Sequence, residues 1–185
     1  MEEILIKATG IVRRIDDLGR IVIPKEIRRT QRIRESDPME IYTSREGEIM
    51  LRKYSPIGEL GQYAADYATS LAETTGYTAC VTDRDICIAA AGKKKKELEG
   101  KELSSDMEAL IERRKNVFYE YGEKSIPVTK GAEQTWGNFA LATIISGGDV
   151  IGAVALMDSE GEKWDSEHAL TLVKTAAKFI GRQME

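Results

Sequence analysis

Cysteine, histidine and long apolar runs are scarce in this sequence. Its 185 residues include two Cys, one His and four Pro, and aromatic residues make up 6% of the chain. Two Cys cannot form the disulfide framework of a small secreted protein. Residues 1–7 carry too much charge for a secretory signal peptide. No apolar run approaches the roughly 18 residues that a membrane span needs. These absences predict a cytoplasmic protein that makes no use of a membrane.

Sequence motifs for catalysis and metal binding are missing as well. There is no P-loop, no Gly-x-Gly-x-x-Gly and no Gly-x-Ser-x-Gly elbow. His168, Cys80 and Cys87 do not have metal-ligand spacing. We expect the two Cys to be small buried hydrophobes in a reducing compartment, with redox sensing as the alternative. The sequence therefore predicts a protein that is not an enzyme and that uses no metal or cofactor.

A basic segment stands out on a chain that is acidic overall. The full chain has 27 Lys and Arg against 31 Asp and Glu, a net charge of −4. Residues 7–34 carry nine basic and three acidic side chains, a net charge of +6. A basic segment of this kind indicates a site for a polyanion, although a solvated face with spare Arg is the alternative. The difference in sign between the two halves predicts different partners for each.

The first 54 residues are patterned as a small β unit. They favour a helix at 24–31, which begins with Pro24, and strands at 7–15, 20–23, 39–43 and 48–52. A unit this short buries only about 60% of its unfolded surface and is marginal alone. Both faces of the first strand mix apolar and charged side chains. We therefore expect an obligate dimer in which two copies share one core.

The run KATGIVRRIDDLGRIVIPKEIRRT at residues 7–30 resembles the AbrB family of transition-state regulators. The likeness continues through the two later strands. It implies a swapped-hairpin dimer, in which strands of two chains interleave, and sequence-tolerant binding of double-stranded DNA through a basic face of the sheet. The DNA-contacting arginines of the family fall on Arg13, Arg20, Arg28 and Arg29, with Arg14 and Lys25 nearby.

Arginine has the chemistry that this binding requires. Its guanidinium forms multi-donor contacts with phosphates and with guanine edges. The helix at 24–31 is too short to fill a major groove as a helix-turn-helix does. We therefore expect DNA shape and deformability to contribute more to recognition than many base contacts. For Arg28 and Arg29 the alternative role is compensation of the helix dipole.

Residues 55–75 are predicted to form a helical linker after Ser55 and Pro56. Apolar residues recur there at heptad spacing; they are Ile57, Leu60, Ala64, Tyr67 and Leu71. This spacing favours a seam between two copies, with packing on the neighbouring domain as the alternative.

Residues 76–185 are patterned as an α+β domain. Strands are predicted at 77–82, 86–91, 116–121, 139–145 and 150–157, with helices at 104–115 and from Ser166 onward. An antiparallel sheet flanked by helices resembles a GAF sensor domain. That resemblance implies a pocket for an unknown small molecule. Phe118, Trp136 and Phe139 are the candidate wall residues, although large aromatics are more often plain core.

An AbrB-like segment (1–54), a linker (55–75) and a GAF-like domain (76–185) together resemble a family of sporulation regulators. The resemblance implies a nucleoid-associated regulator of forespore genes. It also implies a tetramer built from DNA-binding dimers and GAF-domain dimers. Two alternatives stay open: a non-enzymatic interaction module, as in antitoxins with AbrB-like folds, or an AbrB-like regulator that is not specific to sporulation.

Overall fold

The computed structural model describes residues 9–120, 122–123, 126–131, 136–158 and 164–184. The chain divides into two units, Met1–Asp37 (unit 1) and Pro38–Glu185 (unit 2). Every helix in the described part of the chain is too short or too polar to span a membrane.

Unit 1 contains a tight turn and one short helix. The turn spans Asp16 to Arg20, and Gly19 adopts the positive φ of 75° that it requires. Helix α1 spans Lys25–Thr30 and follows Pro24, whose missing N–H costs nothing at a helix start. The helix buries no residue within the single chain. The predicted helix at 24–31 is therefore confirmed to within one residue at each end.

The strands predicted at 7–15 and 20–23 are not formed in the single chain. Residues 9–15 and 20–23 belong to no sheet, while residues 7 and 8 lie outside the described part. A strand needs a hydrogen-bonded neighbour, and residues 9–15 share no ladder with residues 20–23. The backbone bond from the Asp16 N–H to the Arg20 carbonyl closes only the turn between them. Their apolar side chains stay exposed, Val12 by 85% and Val22 by 72%. A second chain as their strand partner stays a prediction.

Unit 2 begins with an antiparallel hairpin, as predicted. Strand β1 spans Met39–Thr43, strand β2 spans Ile49–Lys53, and Met39 pairs with Lys53 at the open end. Most side chains of the hairpin are exposed. Two helices follow, α2 at Pro56–Glu59 and α3 at Gly61–Thr75.

The body of unit 2 is a five-stranded antiparallel sheet. Its strands are β3 (Thr78–Thr82), β4 (Cys87–Ala91), β5 (Val117–Tyr119), β6 (Phe139–Ser146) and β7 (Asp149–Met157). The spatial order is β4-β3-β7-β6-β5, so the long strand β7 is central and pairs with β3 from earlier in the chain. Alternation along the strands sends one set of side chains to each face.

Helices cover one face of this sheet, and shorter elements cover the other. Helix α3 and helix α6 (Ser166–Gln183) pack on the face that carries Val81, Val154 and Leu156. The opposite face carries Phe139 and Leu141 and packs against helix α4 (Lys95–Leu98), helix α5 (Ser105–Glu112) and nearby loops. Both layers are apolar, which matches the predicted α+β architecture with an antiparallel sheet and flanking helices.

The structure corrects one predicted helix start. Asp165, rather than Ser166, caps α6, because its Oδ1 accepts hydrogen bonds from the backbone N–H groups of Glu167 and His168. Helix α5 begins as predicted behind Ser104, whose Oγ accepts from the Met107 N–H at 3.1 Å.

Candidate nucleic-acid interface

The six side chains predicted to contact DNA are all exposed in unit 1. Arg13 and Arg14 follow one another in the extended segment before the Asp16 turn, and Arg20 directly follows that turn. Lys25 is the first residue of α1, and Arg28 and Arg29 lie in its last turn. Within the described residues no ion pair holds Arg14, Lys25, Arg28 or Arg29, so these four cations are free to neutralise an outside anion.

The turn between Arg14 and Arg20 is held by Asp16. Its Oδ1 accepts hydrogen bonds from the backbone N–H groups of Leu18 at 3.0 Å and Arg20 at 2.8 Å, and its Oδ2 accepts from Arg20 Nε at 2.7 Å. The bonds from the Arg20 backbone and side chain hold the pKa of Asp16 below its ordinary value. The carboxylate thus stays ionised and fixes a tight turn between the cations of residues 13–14 and Arg20.

A second set of contacts, missed by the sequence analysis, ties the β1–β2 hairpin to the five-stranded sheet. Lys53 Nζ at the end of β2 pairs with Asp85 Oδ2 in the β3–β4 turn. Ile57 in α2 is fully buried over Gly152 of β7. We call these four residues the hairpin joint. No local pattern could reveal the ion pair, because its partners are 32 residues apart in the sequence.

The three aromatic residues predicted to line a ligand pocket lie on two different faces of the sheet. Trp136 and Phe139 are buried on the face covered by α5, and Lys94 Nζ lies 4.9 Å from the centre of the Trp136 ring. Phe118 packs on the opposite face, 6.2 Å from Trp164 between ring centroids. The three cannot line one cavity, because successive residues of a strand point to opposite faces and Phe118 is paired with Ala140, the neighbour of Phe139.

A groove of about 440 Å³ runs between α3 and α6. Of the heptad residues, Ile57 is fully buried away from the groove. The other four border it, and two of these, Ala64 and Leu71, are themselves buried. Its lining is mostly apolar and includes Tyr63, Leu172 and Phe179. The packing of Ala64 and Leu71 within unit 2 is observed, and a seam between two copies stays a prediction.

The groups considered for chemistry in the sequence analysis are the two Cys and His168. Cys80 and Cys87 are free and buried, as predicted. The neighbouring Cys80 thiol, followed by burial, raises the pKa of Cys87 far above its ordinary value, so this thiol stays protonated. His168 Nδ1 lies 2.9 Å from Asp165 Oδ2 at the exposed start of α6. The described residues contain no cluster of His, Cys, Asp and Glu able to hold a metal ion.

Comparison with known proteins connects this geometry to a family. The family described as "Stage V sporulation protein T C-terminal, transcription factor" matches residues 59–185, and "Antidote-toxin recognition MazE, bacterial antitoxin" matches residues 12–59. Stage V sporulation protein T of Bacillus subtilis (strain 168) is 46% identical over 179 residues, which are 97% of this chain and 99% of that protein. The chain belongs to the stage V sporulation protein T family.

Two solved structures are similar to different parts of the chain. The N-terminal DNA recognition domain of the transition-state regulator AbrB from Bacillus subtilis is 57% identical to this chain, covering 28% of it and 94% of its own length, with a TM-score of 0.24. The GAF domain of a phosphoenolpyruvate-protein phosphotransferase from Acinetobacter is 12% identical, covers 71% of this chain and 83% of its own, and has a TM-score of 0.56. The second likeness shows a GAF-like fold in unit 2.

Membership in the stage V sporulation protein T family establishes the class of protein. The chain is a non-enzymatic transcription factor and sporulation regulator, with an AbrB-type DNA-binding domain ahead of a GAF-like domain. The predicted resemblance and the prediction that the chain is not an enzyme are therefore confirmed.

Proposed function

We propose that this regulator binds double-stranded DNA through the basic residues of unit 1. The contacts come from six side chains: Arg13, Arg14, Arg20, Lys25, Arg28 and Arg29. The observation that carries the proposal is that all six are exposed within 17 residues. All six lie in residues 12–59, the segment that matches the MazE antitoxin family. Two copies of the basic segment, which has a net charge of +6, would face the phosphates together.

Fluorescence anisotropy on a promoter-length duplex across a salt series tests the DNA contacts. We expect steep salt dependence in the wild type, because neutralising phosphates releases counterions. Arg13→Ala, Arg20→Ala and Arg28→Ala should each weaken binding by about tenfold and lower the salt slope by about one per lost phosphate contact.

Lys96→Ala is the matched control, because it removes one exposed positive charge from unit 2. We expect it to leave affinity and salt slope close to wild type. Absence of binding at low salt would refute DNA binding by this chain. An equal loss in Lys96→Ala and the arginine variants would show that total charge, rather than these six residues, determines affinity.

We further propose that the chain is a homo-oligomer with two interfaces. Unit 1 leaves Val12, Ile15, Leu18 and Val22 exposed, and interleaved strands of a second copy would cover them. In unit 2 the groove between α3 and α6 exposes 64% of Tyr63 and 44% of Phe179. The same two helices of a second copy would cover this apolar face in a twofold interface. Together the two interfaces support a tetramer.

The remaining assignments are proposals of the same kind. We place the regulator in the cytoplasm, at the nucleoid, acting on forespore genes. We divide the chain into a DNA-binding domain (1–54), a linker (55–75) and a GAF-like domain (76–185).

We also propose that Trp136 and Phe139, which share one face of the sheet, contact a small molecule. Phe118, on the other face, is left out of that contact.

A further inference from the structure

The β1–β2 hairpin belongs to the AbrB-like sequence but lies in the second unit of the structure. The segment matched to AbrB-like domains runs from residue 12 to 59, whereas the chain divides between Asp37 and Pro38. Most side chains of the hairpin are exposed, so little buried surface holds it to the five-stranded sheet. The contacts of the hairpin joint therefore have a large share in setting its orientation.

The polar half of the joint is the ion pair between Lys53 and Asp85. The two side chains are only 23% and 15% exposed, so solvent screens the pair incompletely. The turn that presents Asp85 is itself fixed, because Asp83 Oδ1 accepts hydrogen bonds from the backbone N–H groups of Asp85 and Ile86, both at 2.7 Å. Removing one partner takes the ion pair away from a partly buried charge, which is costly.

The apolar half of the joint is the seat of Ile57. A Cβ added at Gly152 would lie 2.6 Å from Ile57 Cδ1 and 1.9 Å from the Thr82 carbonyl oxygen, so the seat exists only because residue 152 is glycine. Thr82 ends β3, and Asp85 lies three residues further in the turn. Both halves of the joint thus meet the sheet at the same corner, where β3 turns into β4.

We propose that the hairpin joint couples the orientation of the β1–β2 hairpin, which is part of the proposed DNA-binding domain (1–54), to the β3–β4 turn of the GAF-like sheet. Lys53 and Asp85 act as positioning residues. They hold the hairpin in one orientation on the sheet before the domain binds DNA, which removes an ordering cost from binding. Because coupling between sites is reciprocal, DNA binding in turn stabilises the β3–β4 turn. This inference rests on the DNA-binding function proposed above.

A charge-reversal cycle tests the coupling in the full chain. Lys53→Asp removes two units of positive charge, and Asp85→Lys adds two. If net charge alone set the affinity for DNA, the two variants would have opposite effects, and Asp85→Lys would bind more tightly than the wild type. If the hairpin joint sets the affinity, both single variants should bind DNA about fivefold more weakly than the wild type. The double variant, in which the two charges are exchanged, should return to near wild-type affinity. Asp85→Asn, which keeps the shape of the side chain and raises the net charge by only one, should also bind more weakly than the wild type.

Amide hydrogen exchange provides a second readout that needs no DNA. We expect the amides of Met39–Lys53 to exchange faster in both single variants and at wild-type rates in the double variant. Shifts in DNA affinity of opposite sign in the two single variants would overturn the proposal. A double variant that binds DNA as weakly as Lys53→Asp would also overturn it, because Lys53 would then contact DNA directly. Unchanged exchange in the single variants would overturn it as well. Loss of all DNA binding in the wild type would refute the proposed function, and the exchange test would still decide the joint.

Discussion

Gly152 lies where three parts of the chain meet: the seat of Ile57, the end of β3 and the central strand β7. Its missing side chain leaves room for the Thr82 carbonyl oxygen, which an added Cβ would approach to 1.9 Å. Backbone cannot yield as the end of a flexible side chain can, so this position tolerates only glycine. The requirement comes from close packing rather than from an unusual backbone angle.

Gly152→Ala should destabilise unit 2 by about 3 kcal/mol, the upper end of the usual cost of overpacking. For a chain of this size the melting temperature should fall by about 6–12 °C. Differential scanning calorimetry measures the loss. Gly61→Ala is the matched control, because a Cβ at Gly61 meets nothing within 4 Å at the start of α3. We expect the control to melt at or slightly above the wild-type temperature, and equal losses in the two variants would contradict the packing argument.

The basic residues of unit 1 and the ion pair of the joint differ in how far sequence can predict them. Arg28 and Arg29 lie on a helix that local signals define, since Pro24 precedes it and β-branched residues come before Pro24. The positions of these arginines on α1 were therefore predictable. The contact between Lys53 and Asp85 depends on how a turn and a strand end come together in three dimensions. Neither residue carries any local sign of its partner.

At the scale of the element, α6 depends on the charge at its N-terminus. The Asp165 carboxylate accepts the N–H groups of Glu167 and His168 and lies beside the His168 ring. These contacts, led by the hydrogen bond from the His168 N–H, hold the pKa of Asp165 below its ordinary value of 3.8. The carboxylate therefore stabilises the helix above pH 3.8, and this contribution is lost as the pH falls through the lower pKa of the folded state.

Asp165→Asn should remove this pH dependence while keeping a cap, because Asn is also a good N-cap residue. Urea unfolding monitored by the circular dichroism of the helices, from neutral to strongly acidic pH, gives the comparison. We expect the wild type to be the more stable at neutral pH and the difference to shrink in acid. Asp165→Ala, which removes the cap altogether, should be less stable to urea at neutral pH than either the wild type or Asp165→Asn. Parallel pH profiles for wild type and Asp165→Asn would contradict the assignment.

Strands were predictable where the chain supplies its own neighbour. The hairpin of β6 and β7 follows from two apolar runs around Ser146, Gly147, Gly148 and Asp149, and it is confirmed. The pairing of β3 with β7 joins segments about 70 residues apart, and no local signal selects it. The strands predicted at 7–15 and 20–23 fail in the single chain for a related reason: the segments lack a neighbour there.

At the scale of the whole molecule, the groove between α3 and α6 decides the predicted assembly. We expect light scattering coupled to gel filtration to give the mass of a tetramer for the wild type. The double variant Tyr63→Glu with Phe179→Glu should give half that mass, because two charges cannot be buried in an apolar interface. Thr171→Glu adds an exposed charge to α6 outside the groove and should leave the mass unchanged. An unchanged mass in the double variant would exclude this groove as an interface.

The order in which the ribosome releases the chain bears on the hairpin joint. Ile57 leaves the ribosome about 95 residues ahead of Gly152. At ordinary rates of synthesis, Gly152 therefore completes the seat of Ile57 only roughly 5–20 s after Ile57 has emerged. The basic segment and the β1–β2 hairpin are available from the beginning of that interval. In the proposed assembly, two nascent chains on neighbouring ribosomes can therefore begin to pair through their AbrB-like segments while neither GAF-like sheet yet has its central strand.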